Sequence, residues 1–330
     1  MAKKKFRWGV LGCANIGRKF VPAVQKLPDA EVVACASRTL AKARAYAEEL
    51  GIRRAYGSYE ELLEDGDVDA IYNPLPNDMH CDWTIRAMKA GKHVLCEKPL
   101  ALSSAQVRRM IAASERYGVV LMEAFMYRLH PQWDLVLKVI GSGRIGEVRV
   151  VLATFSFAWN PTSDNYRLHP EQGGGALFDV GCYCINACRL VFGGEPVRVS
   201  ASQHVSKKFG IDLTTCGMLE FSGNRTALFD CSFEIEGRWG VDIEGTEGRL
   251  FVPKPWLPGE TPAKVVVSRG GKEKVMTVRA ANSYALEAMH LAECACKGKA
   301  LRYPPTESLA QMRALEAVQR AARSGRSVMI

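Results

Sequence analysis

No apolar run in this chain approaches the ~20 residues that a bilayer-spanning helix requires. Met1-Ala2-Lys3-Lys4-Lys5 passes straight into Phe6-Arg7-Trp8-Gly9-Val10-Leu11, with no separate apolar segment or small-residue cleavage site. The expected setting is the cytoplasm, with no membrane partner. Paired C-x-x-C spacings are missing as well, so the eleven cysteines, odd in number and scattered, fit neither a zinc site nor a disulfide scaffold. They read as reduced thiols, and no metal is expected. Even Cys182, Cys184 and Cys188 have the spacing of small packing residues around a helix start. Long basic runs and aromatic-interleaved basic motifs are absent too, although the formal net charge is +9. No nucleic-acid partner is expected, and acidic small molecules, a phosphate-rich cofactor among them, are the partners such a surplus suits. Internal repeats and low-complexity segments are lacking.

What the sequence does contain is enough for two domains: 330 residues, 48% of them hydrophobic, exceed the usual single core. The apolar, glycine-bounded run Phe6 to Leu11 reads as a first strand buried on both faces of a parallel sheet. A helix is expected from Ile16 to Leu27, broken by Pro28-Asp29, and a second strand over residues 31–36 completes a βαβ unit. The alternation continues through a helix at 40–50, a strand at 54–56, a helix at 58–63, a strand at 70–72, a helix at 79–90, a strand at 93–96, a helix at 103–117 and a strand at 119–122. Beyond Ala124 the texture changes. A helix around 131–140 precedes runs at 148–157, 197–204, 215–221, 225–233, 239–245 and 264–268, which predict a mainly antiparallel sheet. Helices interrupt or follow it at 177–192, 284–297 and 307–324. The Pro-rich stretch 253–262 reads as an exposed loop. The expected fold is an α/β Rossmann domain, residues 1–124, followed by an α+β domain, residues 125–330, whose final helix is free to pack back on the first.

Gly12-Cys13-Ala14-Asn15-Ile16-Gly17 fills the turn between the first strand and the first helix and matches G-x-G-x-x-G with alanine at the second glycine. In that context Gly12 permits the tight turn, Ala14 keeps the backbone close to a pyrophosphate, Gly17 allows close helix packing, and the helix start at Asn15 and Ile16 favours an anion. Where an NAD enzyme commonly carries an acid after the second strand, this chain has Ser37-Arg38-Thr39. Ser37 and Arg38 suit a 2′-phosphate, and Lys42 adds charge one turn into the next helix, so NADP is favoured, with NAD as the alternative. The loop Asn73 to His80 lies at the carboxyl edge of the sheet. Pro74 and Leu75 are expected to line the nicotinamide side, with Asn77 capping the next helix and His80 serving either the crevice or the turn. Glu97-Lys98-Pro99 ends another strand at that edge, and Pro99 holds Lys98 out of helical geometry. In the other half, Gly173 to Tyr183 is a Gly-rich turn feeding a helix, on which Asp179 and Tyr183, four apart, share one face. A phenol of pKa ~10 is a poor base near neutral pH unless a cation such as Lys98 stabilises the phenolate.

These motifs, together with Glu123-Ala124-Phe125-Met126-Tyr127-Arg128, resemble the Gfo/Idh/MocA family, the glucose–fructose oxidoreductase and inositol dehydrogenase group, over essentially the whole chain. The resemblance implies a C-terminal domain with a large open sheet used to form a homo-dimer or homo-tetramer, and a catalytic set of Lys98, Asp179 and Tyr183. Tyr183 stands where inositol dehydrogenases have His. This looks like the branch containing dimeric dihydrodiol dehydrogenase, NADP-dependent xylose dehydrogenase, anhydrofructose reductase and glucose–fructose oxidoreductase. The same resemblance implies that Glu97 and Arg167 contact the cofactor and that Tyr127 and Tyr166 face the substrate. The expected activity is reversible NADP(H)-dependent hydride transfer at a CH–OH or carbonyl carbon of a sugar such as xylose or glucose. A trans-dihydrodiol or dicarbonyl reductase and a non-catalytic dinucleotide-binding sensor or regulator are the alternatives.

Overall fold

A computed structural model describes residues 5–160 and 164–330. The first eleven elements alternate much as the sequence predicts: β1 (Phe6–Leu11), α1 (Gly17–Gln25), β2 (Ala30–Ala36), α2 (Leu40–Leu50), β3 (Arg54–Tyr56), α3 (Tyr59–Glu64), β4 (Ala70–Asn73), α4 (Asn77–Lys89), β5 (His93–Cys96), α5 (Ser104–Tyr117) and β6 (Leu121–Glu123). β1 is buried at every position except Arg7, as befits a central parallel strand covered on both faces. The six strands are all parallel, in the order β3-β2-β1-β4-β5-β6. That order turns between β1 and β4, so the loops after these two strands diverge at the carboxyl edge and open a crevice there.

The remaining elements are α6 (Pro131–Gly141), β7 (Val148–Ser156), a π-helical turn (Leu177–Gly181) running into α7 (Cys182–Phe192), β8 (Pro196–Val205), β9 (Asp212–Phe221), β10 (Arg225–Ser232), β11 (Arg238–Gly245), β12 (Arg249–Val252), β13 (Ala263–Arg269), β14 (Lys272–Val278), α8 (Ser283–Lys297), α9 (Pro305–Ser324) and β15 (Val328–Met329). Nine strands form one sheet, in the order β14-β13-β12-β11-β7-β10-β9-β8-β15, antiparallel throughout except for the parallel pair β7 and β10. α7 packs on β7 and β10, and along β10 Ala227, Phe229 and Cys231 are buried while Leu228 between them is exposed. The expectation that no stretch is long and apolar enough for a membrane is corrected at Pro170–Phe192. That helical run has a mean hydropathy of 1.3 over its most apolar window, but 94% of the window is buried inside the protein.

The chain divides into two compact units, one running to Leu129 and taking up Asn282–Leu309, the other comprising His130–Ala281 and Ala310–Ile330. α8 therefore counts with the first unit, because its Ala288 and Leu291 join Phe20, Val24 and Tyr72 in that unit's core. The expected exposed loop at 253–262 is also corrected. Pro255, Trp256 and Pro258 are buried, and the Trp256 indole N–H donates to Thr154 O at 3.1 Å.

Candidate active site

The turn after β1 fits a phosphate-bearing dinucleotide. Gly12 has φ +104°, where a side chain is strained, and a Cβ there would lie 2.8 Å from Leu75 Cδ2. A Cβ on Gly17 would lie 2.0 Å from the Tyr46 hydroxyl, which donates to Ala14 O at 3.3 Å. α1 then starts without a side-chain cap and without an acid in its first turn, which leaves its positive end to an anion. Ala14 and Ile16 are half-buried, and Asn15 is exposed, its side-chain oxygen accepting from Arg18 Nη1 at 2.9 Å. After β2, Ser37 is buried, Arg38 and Lys42 are exposed, and residues 37–42 contain no carboxylate.

The loop after β4 is built from within. Asn73 Nδ2 donates to Thr84 Oγ1 at 3.0 Å, and its Oδ1 accepts the Leu75 N–H at 3.3 Å. Pro74, Leu75 and Asn77 are buried. Asn77 is the first residue of α4 rather than its cap, because Pro76 occupies the cap position and no side-chain cap bond forms. His80 is fully buried, with Nε2 2.7 Å from Leu75 O and Nδ1 2.9 Å from Pro99 O. Burial pushes its pKa down to about 4, so the ring is neutral at pH 7 and its single N–H serves one of the two carbonyls. Of the two roles expected for it, crevice or turn, these bonds support the turn, where it joins two loops.

Lys98 is half-buried at a cis Lys98–Pro99 peptide, on a turn held from three strands. Glu97 accepts the Tyr72 hydroxyl at 2.6 Å and the Lys98 N–H at 3.3 Å, and the Leu100 N–H donates to Glu123 at 2.8 Å. Tyr72, which the sequence analysis passed over, is therefore part of the support; its ring is fully buried and stacked on Phe20 at 3.9 Å. Tyr127, expected to face substrate, is fully buried with its ring edge-on to Phe125 and is corrected to a packing residue.

In the second unit Asp212 organises the turn before the π-helical turn and α7. Its carboxylate accepts the Leu177 N–H and the Thr215 hydroxyl, each at 2.7 Å, and a Cβ on Gly175 would lie 2.0 Å from it. The π turn that follows carries Asp179, which is 6% exposed and accepts from Arg167 Nε at 2.7 Å. Arg167 also lies 4.7 Å over the half-buried Tyr166 ring. Tyr183 is likewise 6% exposed, with Phe155 at 5.5 Å and Trp256 at 5.8 Å between ring centroids. Trp256 was missed in the sequence; its one signal was an indole in a stretch otherwise rich in proline. Among the described residues no group of three or more His, Cys, Asp or Glu could hold a metal ion.

Residues 6–125 match the model of the Gfo/Idh/MocA oxidoreductase family with its NAD-binding Rossmann fold, and residues 133–251 match a Gfo/Idh/MocA C-terminal domain. The chain is 39% identical over 323 residues to D-xylose 1-dehydrogenase (NADP(+)) 2 of Haloferax volcanii, covering 97% of this chain and 98% of that one. It is 36% identical to the trans-1,2-dihydrobenzene-1,2-diol dehydrogenase of Xenopus laevis, covering 92% and 93%. Among solved structures it is similar to the 3-ketoreductase KijD10 from Actinomadura kijaniata, bound to NADP and TDP-benzene, with a TM-score of 0.91 and 33% identity over 96% and 98% of the chains. Two family domains in the family's order, on a sheet whose crevice fits a dinucleotide, make this chain a member of the Gfo/Idh/MocA family of oxidoreductases.

Proposed function

We propose that the enzyme catalyses reversible hydride transfer between NADP(H) and a CH–OH or carbonyl carbon of a sugar, an aldose such as xylose or glucose, with Lys98, Asp179 and Tyr183 as its acid–base set. The observation that carries this reading is the buried Asp179 carboxylate, held by Arg167 at 2.7 Å one turn before Tyr183. Burying a carboxylate is costly, and a domain that only holds a dinucleotide has no use for one beside a phenol. When bound, NADP(H) supplies or takes up the hydride. In the oxidative direction Tyr183 takes the hydroxyl proton, the charge of Lys98 favours the phenolate that does so, and Asp179 accepts a hydrogen bond from a neighbouring substrate hydroxyl. The preference for NADP rests on Ser37, Arg38 and Lys42 and on the missing acid; the names of the xylose dehydrogenase and the ketoreductase complex accord with it.

Tyr183→Phe and Lys98→Met each lower kcat for NADP reduction by about a hundredfold or more, the usual scale of acid–base catalysis. Turnover near wild type in both refutes the assignment. Arg38→Asp lowers the NADP-to-NAD ratio of kcat/KM at least about tenfold, and an unchanged ratio refutes the NADP site.

A trans-dihydrodiol substrate is the second reading. Phe157, Trp159 and Phe233 form an aromatic group, with the first two partly exposed. A panel of aldoses and trans-diols separates the two by kcat/KM. A homo-dimer or homo-tetramer through the nine-stranded sheet is supported by exposed Leu152 and Leu228, which are register partners on β7 and β10, with half-buried Met218 next on β9. Eleven free cysteines support a reducing, cytoplasmic setting.

A further inference from the structure

We propose that Gln311 is a positioning residue for Tyr183: its side-chain amide holds the peptide bond on which Tyr183 begins, where the π-helical turn bearing Asp179 passes into α7. The proposal rests on the reading of Tyr183 as the proton-transfer group and names what aims it.

A π turn is rare and persists where its surroundings hold it. The one over Leu177–Gly181 closes with the Cys182 N–H on Leu177 O, and it is held from outside at both ends. At its start the Leu177 N–H donates to Asp212 at 2.7 Å. At its end Gln311 Nε2, on α9 and 129 positions away, donates to Cys182 O at 2.9 Å. Gly181 lies between the two, where a Cβ would come within 2.7 Å of Cys231 Sγ.

The Gln311 amide has one orientation. Its Oε1 accepts from Arg189 Nη1 at 3.0 Å and from Asn186 Nδ2 at 3.3 Å, and turned over, its NH2 would face both of those donors. Arg189 is fixed in turn, with Nε and Nη2 donating to Glu195 at 2.7 and 2.5 Å. Gln311 is 1% exposed and Arg189 3%. Apolar side chains in these places would avoid the cost of burying an amide and a guanidinium. What the polar set supplies instead is direction. The Cys182 carbonyl and the Tyr183 N–H belong to one planar unit, so a donor that fixes the oxygen fixes the plane from which Tyr183 departs. Phe155 and Trp256 pack against the Tyr183 ring, and Gln311 holds the backbone behind it. A misplacement of about 1 Å at a reacting group costs up to about a hundredfold in rate, so a bond this close to the phenol acts on turnover.

The test isolates that one bond in the full-length protein. In Gln311→Glu the bonds from Arg189 and Asn186 survive, while an oxygen that the neighbouring guanidinium keeps ionised replaces the donor to Cys182 O. Gln311→Met removes the same donor without adding charge, and decides the matter if the Glu variant does not fold. In each, kcat for NADP reduction with the best substrate of the panel above falls about tenfold, while the Kd for NADP stays within about twofold of wild type. Combined with Tyr183→Phe, either substitution lowers kcat by less than about twofold beyond Tyr183→Phe alone, because no proton-transfer group is left to aim. A residue that served only to stabilise α9 would lower the melting temperature and leave kcat of the folded protein and this coupling untouched. Wild-type kcat in the folded Gln311 variants, an NADP affinity that falls as far as kcat, or a further tenfold loss in the double variants overturns the proposal and leaves Tyr183 in its role. Turnover near wild type in Tyr183→Phe overturns the reading of Tyr183 and the positioning role together.

Discussion

Glu287 offers a direct test of how charge is arranged behind Lys98. It lies on α8, is 1% exposed, and neither of its carboxyl oxygens has a hydrogen-bond partner. Its neighbour Glu97 has two donors, Tyr72 and the Lys98 N–H, and so is the better place for a negative charge. Burial first, and the Glu97 carboxylate second, push the Glu287 pKa well above its ordinary 4.5. Above the ordinary value the unfolded chain has lost this proton and the folded chain has kept it. Stability therefore falls as pH rises, by about 1.4 kcal/mol per pH unit, until the folded pKa is reached. Glu287→Gln has nearly the same shape and cannot ionise, so this slope disappears. Relative to wild type the variant gains stability as pH rises from 5 towards the folded pKa. A buried amide without partners imposes an offset of about 1–3 kcal/mol, which displaces the curve without tilting it. Urea unfolding at pH 5, 6 and 7, followed by the fluorescence of the buried Trp8 in the same unit, reads the difference. Parallel stability curves for the two proteins would show that Glu287 is ionised when folded and would refute the reasoning.

Three further outcomes follow from the geometry. Gly17→Ala drives the Tyr46 hydroxyl off Ala14 O and costs about 1–3 kcal/mol of overpacking; wild-type melting temperature together with wild-type NADP affinity contradicts this. Arg167→Met leaves the buried Asp179 carboxylate without its 2.7 Å partner. Because Arg167 is itself about a third exposed, the stability loss is held to about 1 kcal/mol, while kcat falls about tenfold and Arg167→Lys recovers part of it. Equal kcat in the Met and Lys variants would remove Arg167 from the site. Leu152→Glu with Leu228→Glu places two charges side by side on the open sheet face and is expected to leave the proposed oligomer a monomer by light scattering; an unchanged oligomer mass moves the interface elsewhere, and a wild-type monomer refutes the oligomer.

The parallel sheet was legible in the sequence nearly strand for strand, because each strand is an apolar run bounded by turn residues and each helix keeps its period. Three strands of the second sheet, its two edges and the inner β12, were not. β14 reads Lys-Glu-Lys-Val-Met-Thr-Val and has no buried position, so it carries no alternation from which a strand could be inferred. β12 is four residues long, and β15 is two, which is too short for any pattern. Trp256 failed for the opposite reason. Prolines around it suggested solvent, but they serve to lay an indole against Thr154 and Phe155, contacts about a hundred positions away in sequence.

The site divides along the same line. The residues proposed to carry chemistry announce themselves through local constraint: Gly12 needs its positive φ, Lys98 precedes a proline, and Asp179 and Tyr183 are spaced by one turn. Groups that hold those in place act across the fold, and sequence spacing carries no trace of them. His80 was read as serving either the crevice or the turn, and its ring bridges two carbonyls belonging to the loops on either side. Arg167, expected at the cofactor, has its Nε on Asp179, a partner that sequence spacing did not suggest. In both cases the residue's partners within the fold were not legible, since they depend on which elements are neighbours. The parallel order puts β4 beside β5 and β5 beside β6, and only that adjacency lets Tyr72 and Glu123 reach the Lys98 turn. Mutations at those two positions should therefore act on turnover through Lys98, although neither residue belongs to any motif that would have drawn attention to it.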